Sequence, residues 1–326
     1  LSPLANLSNL ERLALGNNNV IDLSPLANLF NLVYLDFSNN EVSDISSLAN
    51  LLNLVYLDFT NNEVNDISPL ANLLNLVYLH FWGNKVSDIS SLANLFNLET
   101  VDFTNNEVRN ISALANLANL EWLKFWNNEV NDISPLANLL NLENLDFGEN
   151  SVKDISPLVE NIGLGEGDLI RINNNYLDLK ESSQAMQDIQ TLIDRSCNVV
   201  YEPQYILYTL SLELSNTNWG TVTGCGEYLA GEVVNISATA NEGYQFVNWT
   251  QSGIEISTNA DDTYTMPSRN ATLVANFEEE AQEILLRDLG PERRLQDEGN
   301  VYNILDNTSI GYWIGNVKVS SLPSQL

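Results

Sequence analysis

Apolar residues occupy fixed places along the first half of the chain and return every 22 residues. Leu32, Leu35, Phe37, Val42, Ile45, Leu48 and Leu51 recur as Leu54, Leu57, Phe59, Val64, Ile67, Leu70 and Leu73. The fixed point is an asparagine, at Asn40, Asn62, Asn84, Asn106 and Asn128, with Asn18 and Asn150 extending the series. A unit this short cannot bury its apolar side alone, so the pattern predicts a curved solenoid in which stacked copies share one core. Around L-x-x-L-x-L the alternation predicts a short strand, parallel to its neighbours, with Leu35 and Phe37 inward and Tyr34, Asp36 and Ser38 outward on the concave side. The asparagine that follows ends the strand, and stacked copies form a buried ladder whose side-chain amides satisfy turn backbone groups. The other half begins Ser-Pro-Leu at Ser24, Ser68, Ser134 and Ser156, continuing Ala-Asn-Leu in the first three. Ser at the N-cap and Pro at the first helical position start a helical turn, and the few residues left before the next strand favour 3-10 over α geometry. Asp44, Asp66 and Asp88 recur just ahead of it, in a capping role.

After Asn150 the spacing breaks, and DLIRINNN places the next asparagine at Asn175. From Ser182 to Arg195, Met186, Ile189 and Ile193 stand at helical spacing after a Ser start, which predicts an amphipathic helix. VVYEP reads as a last strand stopped by Pro203. Helix and strand together form an α/β cap over the apolar end of the stack, which a solenoid requires.

From Tyr205 the pattern changes. YTLSLELSN, GTVTGC, VVNISATANEG, YQFVNW and ATLVANF are short alternating runs between Gly, Asn and Asp, predicting a small all-β domain that ends near Phe277 with Tyr244, Phe246 and Trp249 in its core. Beyond it, EEEAQEILLRDLG reads as a charged linker able to form a short helix, and the residues to Leu326 match no pattern. The predicted boundaries are 1–203 for the solenoid with its cap, 204–278 for the β domain, and 279–326 for the remainder.

The strand period makes the concave side readable in advance. Its outward columns include Tyr34, Asp36 and Ser38; Tyr56, Asp58 and Thr60; Tyr78, His80 and Trp82; Thr100, Asp102 and Thr104; Trp122, Lys124 and Trp126; Asn144, Asp146 and Gly148. Strands roughly 4.8 Å apart would set Tyr34, Tyr56 and Tyr78 in one aromatic strip. Tyr and Trp in the middle of the face, ringed by Asp36, Asp58, Asp102 and Asp146, supply the rigid contact area and polar rim of a protein-binding hot spot. The tyrosines also suit a strand on their own account, and the repeated LVYLDF can reflect duplication. Trp82, Trp122 and Trp126 break the copied pattern and weigh more heavily. His80, between Asp58 and Asp102, is the sole histidine.

A formal charge of −30, from 43 acidic and 13 basic side chains, argues against nucleic acid or an anionic bilayer as partner. No apolar run is long enough to span a membrane as a helix. One histidine, no cysteine pair at ligand spacing and no calcium-loop spacing leave no metal or other cofactor to expect, and no nucleophile elbow or phosphate loop points to an enzyme. Cys197 and Cys225 fall in different predicted domains and read as two unpaired thiols, with a linking disulfide as the alternative. The sequence opens at Leu1 in the second half of a repeat, so an upstream cap and an export signal are expected before it.

The L-x-x-L-x-L-x-x-N unit is the leucine-rich repeat signature, and the 22-residue period with V-x-D-I-S-x-L-A-N-L resembles the repeats of bacterial internalins over residues 1–203. GTVTGCGEYLAGEVVNISATANEGYQFVNWT resembles the divergent B-repeat modules of internalin-like surface proteins, with Cys225 departing from the small residue usual in that turn. The resemblance implies an exported cell-surface recognition or adhesion protein, its β module serving as a stalk. The expected partner is a protein held by Tyr34, Tyr56, Tyr78, His80, Trp82, Trp122, Lys124, Trp126, Asp36, Asp58 and Asp102. Alternatives are a surface glycan stacked on the same tryptophans, or an array that acts only as a spacer.

Overall fold

In the computed structural model, residues 1–280 are described, with four further three-residue strands at 295–297, 300–302, 312–314 and 317–319. The helix expected in EEEAQEILLRDLG lies almost wholly outside the described residues. The chain divides into two compact units, Leu1–Ile206 and Leu207–Leu326.

The first unit is a leucine-rich repeat solenoid. Its strands β1 (Arg12–Ala14), β2 (Tyr34–Asp36), β3 (Tyr56–Asp58), β4 (Tyr78–His80), β5 (Thr100–Asp102), β6 (Trp122–Lys124), β7 (Asn144–Asp146), β8 (Leu169–Arg171) and β9 (Asn198–Val200) form one parallel sheet in chain order. Equivalent residues pair in register, Tyr34 with Tyr56 and Tyr56 with Tyr78. The inward column Phe37, Phe59, Phe81, Phe103, Phe125 and Phe147 is fully buried, and its successive rings stack 5.4 to 5.7 Å apart. Truncating one of them to Ala would cost about 3–5 kcal/mol, since the stack cannot collapse around the hole.

The asparagine ladder follows from unpaired backbone groups at the strand end. Asn62 donates to the carbonyls of Phe59 in its own repeat and Phe37 in the one before, at 3.0 and 3.1 Å, and accepts the Val42 N–H at 2.9 Å. Ahead of it Asn61 turns the chain through φ 50°, as Asn39, Asn105 and Asn127 do at φ 52–54°. Asparagine tolerates the left-handed region better than other side chains, which accounts for the Asn-Asn pairs; in one repeat Gly83 takes that place, at φ 68°.

The opposite side is built from three-residue 3-10 turns such as Ser24–Leu26 and Ser68–Leu70. Serine is the first residue of each turn rather than its N-cap, and its hydroxyl makes no capping bond. The cap comes from two residues earlier: Asp44 accepts the Ser46 N–H at 2.8 Å, and Asp66 and Asp88 do the same for Ser68 and Ser90. The Ser156 turn departs from expectation by forming a short α-helix, α1 (Ser156–Glu160), in the repeat that lengthens before Asn175.

In the cap, α2 (Gln184–Asp194) starts at Ser183, whose hydroxyl accepts the Met186 N–H at 3.2 Å. Its buried stripe is Ala185, Ile189 and Leu192, with Met186 at the margin and Ile193 exposed. The stripe shares Ile189 with the expected one and is otherwise offset by one position. Gln204 closes the ladder by accepting the Asn175 N–H at 3.0 Å and donating to the Ile172 carbonyl at 2.9 Å.

Over residues 207–280 the second unit is all-β, in two sheets. One sheet has five strands, ordered β12 (Gly226–Leu229), β10 (Leu207–Leu214), β17 (Ala271–Glu279), β14 (Tyr244–Gln251) and β15 (Ile254–Ser257). The other has three, ordered β11 (Gly220–Thr223), β13 (Val233–Ala240) and β16 (Asp261–Thr265). Trp249 is fully buried, donates its indole N–H to the Ala260 carbonyl at 3.2 Å, and has the Phe246 ring 5.8 Å away. Tyr244 departs from expectation: it is half-buried and stacks on Trp219 at 5.1 Å, beside the core. Cys197 is buried in the first unit and Cys225 exposed in the second, both as free thiols.

Candidate binding face

Three-residue strands in exact register put one residue of every repeat in each outward column. The first column becomes a run of stacked rings. Tyr34 and Tyr56 stack nearly parallel at 4.4 Å, and Tyr78 continues the run 6.2 Å from Tyr56 at a tilt of 37°. The Arg12 guanidinium lies 4.2 Å from the Tyr34 ring centre and ends the stack with a cation–π contact. Stacking half-buries Tyr34 and Tyr56, whereas Tyr78 stays 41% exposed. Burial, reinforced by the Asp58 charge, pushes the Tyr56 hydroxyl well above the usual tyrosine range.

The second column carries the charges. Asp36, Asp58 and Asp102 each turn one oxygen back to the N–H two residues on, Ser38, Thr60 and Thr104, at 2.9 to 3.0 Å. These aspartates therefore shape the strand exits as well as lining the face. Asp146 is more enclosed: burial raises its carboxyl against the opposing pull of the Gly148 N–H, Arg171 and Lys124, and the Arg171 guanidinium stands 3.9 Å away. His80 is paired in register between Asp58 and Asp102. Its ring lies 5.8 Å from that of Tyr56, and its Nε2 is buried without a hydrogen-bond partner among the described residues. Among the described residues no group of three or more His, Cys, Asp or Glu is arranged to hold a metal ion, and no helix is long and apolar enough to cross a membrane.

The tryptophans differ from one another. Trp122 is 45% exposed with the Lys124 ammonium 5.6 Å from its ring, and Trp82 is 36% exposed. Trp126 is half-buried and packs over Gly148 of the next repeat. The face thus brings Tyr34, Tyr56, Tyr78 and His80 into one contact group and Trp122 with Lys124 into another.

Two features escaped a reading confined to the strands. Arg12 pairs in register with Tyr34 yet is not among the predicted contacts, although its place one 22-residue period before Tyr34 sets a cation beside the first tyrosine. A further outward column, Phe30, Leu52, Leu74, Phe96 and Leu140, is exposed. Its backbone is pinned by a second asparagine ladder, in which Asn53, Asn75 and Asn97 donate to the carbonyls of Phe30, Leu52 and Leu74 at 2.8 to 2.9 Å.

Comparison with known proteins agrees with this architecture. Residues 31–72 and 118–160 match leucine-rich repeats in two copies, and residues 210–281 match the divergent InlB B-repeat domain. The crystal structure of an internalin from Listeria monocytogenes, InlF, superposes with a TM-score of 0.58 at 36% identity, over 63% of this chain and 58% of its own. Internalin C2 of the same organism gives 0.52 at 27% identity, over 62% of this chain and 83% of its own. A leucine-rich repeat protein of Leptospira interrogans, at 22% identity, TM-score 0.55 and coverage of 61% and 50%, shares the fold. No curated protein sequence matches the chain. Internalin-like leucine-rich repeat folds typically mediate protein binding and are generally non-enzymatic, and the internalin-like and B-repeat relatives are surface-associated. The chain is an internalin-like leucine-rich repeat protein, a capped repeat array followed by a divergent InlB B-repeat domain.

Proposed function

We propose that this protein is exported to the bacterial surface and there binds a partner protein through the concave face of its repeat array, with the B-repeat domain as a stalk. The observation that carries the reading is the tyrosine stack with its neighbours: Tyr34, Tyr56 and Tyr78 at 4.4 and 6.2 Å, beside Trp82 and Trp122 at 36% and 45% exposure. Large aromatic rings left open on a rigid sheet lose little conformational freedom on binding, which is the economy of a protein-binding hot spot. The reading treats Asp36, Asp58, Asp102, His80 and Lys124 as the polar surround. Trp126, half-buried on Gly148, contributes less contact area than Trp82 and Trp122.

The test is capture from candidate host or neighbouring-cell surfaces by the full chain and by a W82A/W122A/W126A variant shown by circular dichroism to be folded. Capture by the parent and loss by the variant supports the concave face. Binding that resists proteolysis of the target surface turns the assignment to a glycan. Equal capture by both proteins overturns it.

A further inference from the structure

The residue just ahead of each strand forms a column of its own, running Glu11, Val33, Val55, Val77, Glu99, Glu121 and Glu143. Its backbone is one continuous ladder. The Val55 N–H donates to the Val33 carbonyl at 2.8 Å, Val77 to Val55 at 2.9 Å, Glu99 to Val77 at 3.0 Å, and Glu121 to Glu99 and Glu143 to Glu121 at 2.9 Å each. Neighbours in this column therefore stand roughly 4.8 Å apart, on the same edge of the sheet as the tyrosine column.

Composition along this edge changes abruptly. Beside Tyr34, Tyr56 and Tyr78 stand Val33, Val55 and Val77, with Val33 39% exposed, so these repeats present six apolar or aromatic side chains together. In the next three repeats the valines give way to Glu99, Glu121 and Glu143, beside Thr100, Trp122 and Asn144. No ion pair or side-chain hydrogen bond neutralises any of the three glutamates among the described residues. The two cations close by are already engaged: Arg171 stands 3.9 Å from Asp146, and Lys124 lies over Trp122. Three stacked like charges repel one another, so a cationic partner gains more here than at an isolated carboxylate.

We infer that the partner is a protein segment with two chemically distinct parts. An aliphatic or aromatic part lies against Val33, Val55, Val77 and the tyrosine stack, and a Lys- or Arg-bearing part lies against Glu99, Glu121 and Glu143. The inference rests on the reading that the concave face binds protein, and adds which chemistry meets which repeats. From the Val55 repeat to the Glu121 repeat is three strand spacings, roughly 14 Å, which an extended chain covers in about four residues. The two parts of the segment are therefore close in its sequence.

Panning a display library of random hexadecapeptides on the full chain and on an E99K/E121K/E143K variant tests this. The parent enriches peptides with an apolar group at one end and Lys or Arg at the other. The variant keeps the apolar end and exchanges the basic residues for Asp or Glu. A peptide selected on the parent binds the variant about tenfold more weakly or worse, and the difference shrinks in high salt. If both proteins enrich the same peptides, and W82A/W122A/W126A abolishes their binding, the concave face binds protein but the two-part assignment is wrong. If the peptides bind the tryptophan variant as well as the parent, the reading beneath it fails too. A selection that yields nothing above the bare support overturns the assignment.

Discussion

Trp126 lies where a side chain on Gly148 would be: a Cβ at Gly148 would stand 2.7 Å from Trp126 Cδ1 and 3.0 Å from the Asn173 carbonyl oxygen. The glycine is a shelf cut for the indole. Gly148→Ala is therefore expected to push the ring toward solvent and to cost about 1–3 kcal/mol in overpacking. Tryptophan emission should shift to the red, and the shift should vanish in a Trp126→Phe background. An unchanged spectrum would mean that the ring has room to spare.

The asparagine ladder gives a second test, because a matched control lies in the same repeats. Asn84 serves the Phe59 and Phe81 carbonyls at 3.1 and 3.0 Å and the Val64 N–H at 3.0 Å, all away from water. Asn97 makes one exposed bond to the Leu74 carbonyl at 2.9 Å. Asn84→Ala is expected to cost about 2–4 kcal/mol in urea unfolding, and Asn97→Ala less than about 1 kcal/mol, because water takes over the exposed carbonyl but not the buried groups. Equal costs would sink the distinction.

The turn aspartates predict a dependence of stability on acid. The Ser24, Ser46 and Ser90 N–H groups hold the carboxyls of Asp22, Asp44 and Asp88 below the usual value of 3.8. A depressed folded-state value means that the stability is fully present above 3.8 and is lost as the pH falls below it. Asp146 has the opposite sign: its carboxyl is raised by burial, so its contribution is present at low pH and lost as the pH climbs through the raised value. The chain supplies its own neutral replacement, since Asn110 accepts the Ser112 N–H at 2.8 Å in the equivalent turn. D22N/D44N/D88N is therefore expected to keep the turns and flatten the fall in Tm below about pH 4. A fall as steep as the parent's would place acid sensitivity elsewhere.

The solenoid was legible because its code is periodic. Once Leu35 and Phe37 face inward, every outward neighbour follows, and the ladder follows from the fixed asparagine. The misses lie where the period fails or where a contact crosses between repeats. On α2 the spacing points to Met186 and Ile193 where Ala185 and Leu192 do the burying, because a single short helix supplies no second copy to check the phase. The division of labour between Ser46 and Asp44 needed the actual hydrogen bond. Trp82, Trp122 and Trp126 looked equivalent, and only Gly148, one repeat further on, separates Trp126 from the other two. The change from Val77 to Glu99 was open to view, one place outside the strand.

The first asparagine ladder also gives the array a direction. Val42 N–H is satisfied by Asn62, Val64 by Asn84 and Val130 by Asn150, so each repeat relies on the repeat that follows it in the chain. The dependence ends when Asn175 takes the Val152 N–H and Gln204 in turn takes that of Asn175. Loss of the last segment would leave a buried donor unmet and hand the same deficit to each new final repeat, so unravelling from that end is self-propagating. Inserting or deleting a whole 22-residue unit in the interior changes none of these bonds. Such an array can change the length of its face by duplication with its closing segment untouched.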